Sequence, residues 1–127
     1  KEAERISEEL IKSYSVKIKS RKEAVANLSG GNMQKIVVAR ELNRDPKIVV
    51  ACQPTRGVDI GSSKYIRECL LNVKKEGGSV LLVSADLDEI LELSDRIVVM
   101  YDGKISGVLD AGEATEERLG ELMFGRG

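Results

Sequence analysis

The sequence predicts an α/β fold: three parallel strands with flanking helices, plus a hairpin at the edge of the sheet. Three observations carry this. First, Ile48-Val49-Val50-Ala51-Cys52, Val80-Leu81-Leu82-Val83 and Ile97-Val98-Val99-Met100 are apolar without alternation, as strands covered on both faces must be. Second, helical patterns separate these runs, which sets the order β-α-β-α-β. Third, Asp102-Gly103 follows the last run, and this pair suits a two-residue hairpin turn, so Lys104 to Leu109 is expected to return antiparallel.

The elements follow in order. Ala3, Ile6, Leu10 and Tyr14 recur near helical spacing and predict an amphipathic helix over the opening dozen residues. Ser15 to Asn27 reads as a polar connector, although Ser15-Val16-Lys17-Ile18-Lys19 also alternates as a strand does. Behind Leu28-Ser29-Gly30-Gly31, a run of good helix formers from Asn32 to Leu42 carries an apolar stripe of Met33, Ile36 and Val37. It ends at Asn43-Arg44-Asp45-Pro46. Asp59 is placed to cap a helix in which Ile66, Cys69, Leu70 and Val73 share one face and which Gly77-Gly78 stops. Asp86, with Glu89 three residues on, makes an acidic variant of a capping box ahead of Leu87, Ile90 and Leu91. A last helix, entered at Thr115, puts Leu119, Leu122 and Met123 on one face.

With 127 residues, the chain has room for one domain or less. Its 42% hydrophobic and 32% charged residues are an ordinary globular composition. Net charge is -1, split as 11 basic and 7 acidic residues from Lys1 to Lys47 and 9 basic and 14 acidic from Ile48 onward, so the first part is the better face for an anion. Aromatics at 3% provide no stacking platform for single-stranded nucleic acid, and the absence of His removes imidazole chemistry. Cys52 and Cys69 form no C-x-x-C pair; a reduced compartment and two small buried hydrophobes are the simplest reading. No apolar run reaches the roughly 18 residues a membrane helix needs, and the charged start that lacks Met suggests a fragment.

Ser29-Gly30-Gly31-Asn32 is the most informative stretch. A helix N-terminus presents unpaired N–H groups and a partial positive charge, glycines admit a phosphate close to the backbone, and Ser29 adds a hydroxyl. A plain serine cap with glycines in a turn is the competing account. Three segments in order favour the first. Leu28-Ser29-Gly30-Gly31-Asn32-Met33-Gln34-Lys35 resembles the signature of ATP-binding cassette (ABC) ATPases, in the form found in simple-sugar and nucleoside importers. Gln53-Pro54-Thr55-Arg56-Gly57-Val58-Asp59 is similar to the end of Walker B and the D-loop, and Ser84-Ala85-Asp86-Leu87-Asp88-Glu89 stands at the switch-loop position.

The resemblance implies a partial P-loop NTPase fold lacking Walker A, since no G-x-x-x-x-G-K-S/T occurs in the chain. It divides the chain into residues 1–27, the end of a helical subdomain and connector; 28–109, the motif-bearing core; and 110–127, a C-terminal helix. It also implies which residues have changed. An active cassette ends Walker B in Asp-Glu, to order Mg²⁺ and polarise water, and uses a switch His; here those positions hold Cys52, Gln53 and Ala85. A thiol is a poor ligand for a hard cation, so no metal is expected here, and a Gln amide cannot take a proton from water.

Ser29, Gly30, Gly31, Asn32 and Gln34 are the residues expected to meet, in trans, a nucleotide held by another cassette, with Asp59 as the D-loop residue. Lys35 is expected either at that interface or on an ordinary surface. The resemblance implies ATP and Mg²⁺ for the intact parent, none for the isolated fragment, and no hydrolysis by the fragment alone. It implies as partners a second cassette, in the same polypeptide, a transmembrane permease and, indirectly, a solute-binding protein, without nucleic acid. The corresponding location is cytoplasmic, peripheral on the membrane's inner face. A soluble ABC-type ATPase acting on nucleic acid or ribosomes, and a non-catalytic regulatory half, are the alternatives.

Overall fold

A computed structural model describes residues 1–126 as two compact units, one over Lys1–Val83 and one from Ser84 onward. The first unit opens with α1 (Glu2–Ser13). Ser15, at φ 51°, turns the chain at its end, with Ser15 N–H donating to Lys12 O at 3.2 Å and Val16 N–H to Ile11 O at 3.0 Å. The following segment is a connector with one 3-10 turn at Val25–Asn27, not a strand. Arg21 ties it back to α1 through ion pairs with Glu4 and Glu8.

α2 (Gly30–Leu42) starts at Ser29 and leads to β1 (Ile48–Cys52), α3 (Ile60–Lys75) and β2 (Ser79–Val83). β1 and β2 pair in parallel with Ile48 opposite Ser79 and Cys52 opposite Val83. The Gly77-Gly78 stop closes α3 as expected: Gly77 takes φ 87°, and Gly78 N–H reaches back to Val73 O at 2.8 Å. Ile66, Leu70 and Val73 bury the inner face of α3, Ile66 completely, and α3 lies against α2 and β2.

The second unit holds α4 (Leu87–Leu93), β3 (Arg96–Tyr101), β4 (Lys104–Asp110) and α5 (Glu116–Met123). β3 and β4 form the expected hairpin, with Asp102 at φ 48° and Gly103 at φ 72° in the turn. A bulge between Val99 and Met100 shifts the register, and Ser106 Oγ donates to Val99 O at 3.2 Å. Ile97, Val99, Leu119 and Leu122 form the core, with Leu87, Ile90, Leu91, Leu109 and Ala114 packed against it.

The α/β class holds, with three corrections. Among the described residues β3 pairs only with β4, so the parallel ladder has two strands rather than three. An unalternating apolar run does not record which strand lies alongside. One face of the β1–β2 pair is bare: Ile48, Val50, Cys52, Leu81 and Val83 are exposed, Leu81 at 60%. Cys52 is therefore not the small buried residue expected, because it falls on that uncovered face. Finally, Met123 is exposed while Leu119 and Leu122 are buried, and Met33 and Val37 face outward because α2 packs through Gly31, Lys35, Val38 and Ala39 instead.

Candidate functional site

The site is built where two helix N-termini meet. Ser29, extended at φ -63° and ψ 155°, caps α2: Asn32 N–H donates to Ser29 Oγ at 3.3 Å, and Asn32 Nδ2 does so at 3.1 Å. Both bonds use the hydroxyl as acceptor, so neither uses its proton. The amides of Gly30 and Gly31 lie in the first turn, where no intrahelical acceptor exists. Asn32 is held from its other end as well, since Lys17 N–H donates to Asn32 Oδ1 at 2.8 Å. Its amide thus shapes the loop entrance on both sides.

The glycines differ in role. Gly30 is exposed, and a side chain there would lie 3.3 Å from Gly57 O. Gly31 is buried: a methyl would run into Ser62 Oγ and stand 2.6 Å from Asp59 Oδ1 and 2.7 Å from Ser62 Cβ. Only glycine lets α2 approach α3 this closely. Asp59 caps α3 as expected, accepting from Ser62 N–H at 2.9 Å. That hydrogen bond, then one from the Ser62 hydroxyl, holds the Asp59 carboxyl below its usual range, with Lys35 adding a smaller pull in the same direction.

Lys35 occupies neither expected position. It is only 8% exposed; its Nζ donates to Ser15 O at 3.2 Å and stands 4.8 Å from the centroid of the Tyr65 ring. Burial pushes the Tyr65 hydroxyl up to about 12, and the same hydroxyl donates to Ser13 O at 3.1 Å. Gln34 turns toward the loop after β1, with Nε2 donating to Pro54 O at 2.7 Å.

At the end of β1, Gln53 N–H donates to Val83 O at 2.7 Å, extending the parallel ladder by one bond, and Gln53 takes a left-handed φ of 49°. Ala85 lies in the second unit, exposed and just before the Asp86 cap, whose side chain accepts from Glu89 N–H at 3.1 Å. The first unit thus brings Ser29, Gly30, Gly31, Asn32, Gln34 and Asp59 together, with Cys52 and Gln53 at the strand end nearby in sequence. Ser62 was not foreseen, since nothing in the sequence marks a buried serine as the partner of a glycine thirty-one positions earlier. The Pro54 carbonyl was missed for the same reason.

The donors at the start of α2 are N–H and O–H groups, which suit an anion. Among the described residues no group of three or more Cys, Asp or Glu side chains could hold a metal ion, and the position expected to order Mg²⁺ carries the soft thiol of Cys52. The Ser29 hydroxyl and the first-turn amides stand together at the start of a 13-residue helix, the kind of donors that a phosphate can meet.

Two parallel strands joined through a helix, with a glycine-entered helix against the loop after the first strand, make part of the α/β fold of an ATP-binding cassette. The comparisons agree. The chain superposes on a dimeric ATP-binding cassette in a post-hydrolysis state bound to ADP and Pi, with TM-score 0.73 and 25% identity over 84% of this chain and 46% of that one. It superposes on a nucleotide-free cassette from an ABC transporter with TM-score 0.72 and 26% identity, over 94% and 46% of the two chains.

In sequence it is 43% identical to a nucleoside import ATP-binding protein of Lactococcus lactis, over 92% of this chain and 23% of that protein. It is 52% identical to a glucose import ATP-binding protein of Haloferax volcanii, over 80% and 18%. It is 40% identical to a ribose import ATP-binding protein of Clostridium perfringens, over 98% and 25%. No family profile matches the chain. The chain belongs to the ATP-binding cassettes and is similar to proteins named for nucleoside, glucose and ribose import, of whose length it spans between about a fifth and a quarter.

Proposed function

We propose that this chain is the signature-bearing half of the second, degenerate cassette of an importer for simple sugars or nucleosides. Its signature loop completes, in trans, an ATP site whose phosphate-binding loop and catalytic groups belong to another cassette of the same polypeptide. The observation that carries this is a divided pattern of retention. Ser29, Gly30 and Gly31 keep the sequence of an anion cradle, with the Ser29 hydroxyl used only as an acceptor within the chain, while Cys52, Gln53 and Ala85 stand where hydrolysis in cis needs a carboxylate pair and a switch residue. On this reading the chain contributes electrostatic stabilisation, not proton transfer. Asp59, set by its bond to Ser62, carries the state of the loop across the cassette interface.

The parent binds ATP and Mg²⁺, drives a transmembrane permease supplied by a solute-binding protein, and works at the cytoplasmic face of the membrane. No helix among the described residues is long and apolar enough to cross a membrane. Residues 1–27 then close the helical subdomain, 28–109 carry the motifs and 110–127 form the terminal helix. Steady-state ATP hydrolysis by the intact parent with its permease tests the proposal. Ser29→Ala should lower turnover by about tenfold or more, equivalent to roughly 1.4 kcal/mol of lost transition-state stabilisation. Unchanged turnover would remove the trans role.

A further inference from the structure

We infer that Gln34 is a positioning residue that fastens the signature helix to the loop leaving β1, so that the two move as one body. The inference rests on the reading of Ser29 given above and extends it to how a load on that loop is passed on. Gln34 is half-buried, and its Nε2 donates to Pro54 O at 2.7 Å across twenty residues of sequence. Pro54 is itself buried, so this carbonyl has little water to fall back on. One of the two amide hydrogens of Gln34 is thereby committed inside the chain rather than to a nucleotide.

The loop that Gln34 grips has little slack of its own. It leaves β1 through Gln53 at φ 49°, turns again at Gly57 at φ 74°, and ends in the Asp59 cap of α3. Gly30 lies under Gly57 O, and Gly31 leaves no room for a methyl beside Asp59 and Ser62. Gln34 at one end of this loop and Gly31 at the other are therefore two separate ties between the same pair of segments. A displacement of Ser29 to Gly31 toward an anion carries Pro54 to Asp59 with it, because close-packed elements shift together rather than deform. Gln34 touches no reacting atom on this account; it sets where Asp59 stands.

The test uses the full-length import protein with its permease and three variants: Gln34→Leu, which keeps the volume but loses the donor, Gln34→Glu, and Ser29→Ala. ATP hydrolysis is followed against ATP concentration and pH, and hydrogen exchange is followed in the peptide covering residues 53–59. Gln34→Leu should lower kcat at least about fivefold, with KM for ATP within about twofold of wild type. It should also speed exchange in 53–59 by about tenfold or more. Gln34→Glu should match Gln34→Leu at pH 8 and regain activity relative to wild type as the pH is lowered, since only the protonated carboxyl can donate to the Pro54 carbonyl. Raised KM with kcat unchanged would make Gln34 a nucleotide contact and overturn the inference. Unchanged hydrolysis, or unchanged exchange in 53–59, would overturn it equally. If Ser29→Ala leaves hydrolysis intact, the trans reading fails by itself, and the exchange measurement still decides whether Gln34 holds the loop.

Discussion

Replacing Gly31 with alanine probes the closest approach in the first unit. At an ordinary helix position alanine is about 1 kcal/mol better than glycine, so a stabilised variant would be the default expectation. Here the added methyl meets Ser62 Oγ, with Asp59 Oδ1 at 2.6 Å and Ser62 Cβ at 2.7 Å. Ser62 Cβ cannot retreat without moving the backbone of α3, and Ser62 is buried in the first turn of that helix. Forcing a methyl into such a site costs about 1–3 kcal/mol. The upper part of that range applies to rigid neighbours and outweighs the propensity gain, leaving a net loss of about 1–2 kcal/mol. With a urea m-value of about 2 kcal/mol/M, that loss lowers the unfolding midpoint by about 0.5–1 M.

Urea unfolding followed by far-ultraviolet circular dichroism reads this shift, and two companions make it specific. Gly120→Ala, in α5 with nothing within 4 Å of the new methyl, should move the midpoint upward. Ser62→Ala in the Gly31→Ala background removes the Oγ clash but leaves Cβ at 2.7 Å, so it should restore only part of the loss. A Gly31→Ala midpoint equal to or above wild type would refute the packing argument, as would a second substitution that restores nothing.

Two further outcomes follow from titrating groups. The Asp59 carboxyl keeps its charge to lower pH in the folded chain than in the unfolded one, so the unfolded state binds more protons in that interval. Its stabilising effect is complete above the ordinary carboxylate range and is lost as the pH falls through the depressed folded value; Asp59→Asn should flatten that part of an acid-unfolding curve monitored by circular dichroism, and an unaltered curve would contradict it. Burial lifts the Cys69 thiol, whereas Cys52 lies on the bare sheet face. Iodoacetamide at pH 7.5 should therefore alkylate Cys52 several times faster than Cys69 by mass spectrometry, and equal rates would contradict the burial of Cys69.

What the sequence disclosed tracks the range of each interaction. The caps at Ser29, Asp59, Asp86 and Thr115 act over three residues, and all four accept the expected backbone N–H. The Asp102-Gly103 turn and the Gly77-Gly78 stop are equally local. The partners of Gln34, Gly31 and Lys35 lie twenty or more positions away, at Pro54, Ser62 and Ser15, and no spacing rule reaches that far. Lys35 is the clearest case: a lysine near a signature helix suggests solvent or phosphate, yet its stem fills the interior and its ammonium finds a carbonyl and an aromatic face. The β3 partner was misread because an apolar run does not name its neighbouring strand.

The parallel pairing of Ile48 with Ser79 also governs when this unit assembles. Bringing two strands together across roughly thirty intervening residues costs about 3 kcal/mol of chain entropy before any ladder bond forms. α3 changes that sum: sixteen residues wound into a rod of about 24 Å replace most of the flexible chain between the strand ends. A helix of this length forms within about a microsecond, long before the non-local ladder can close. Ile66, wholly enclosed in the finished unit, lies on the helix that spans the gap between the two paired strands.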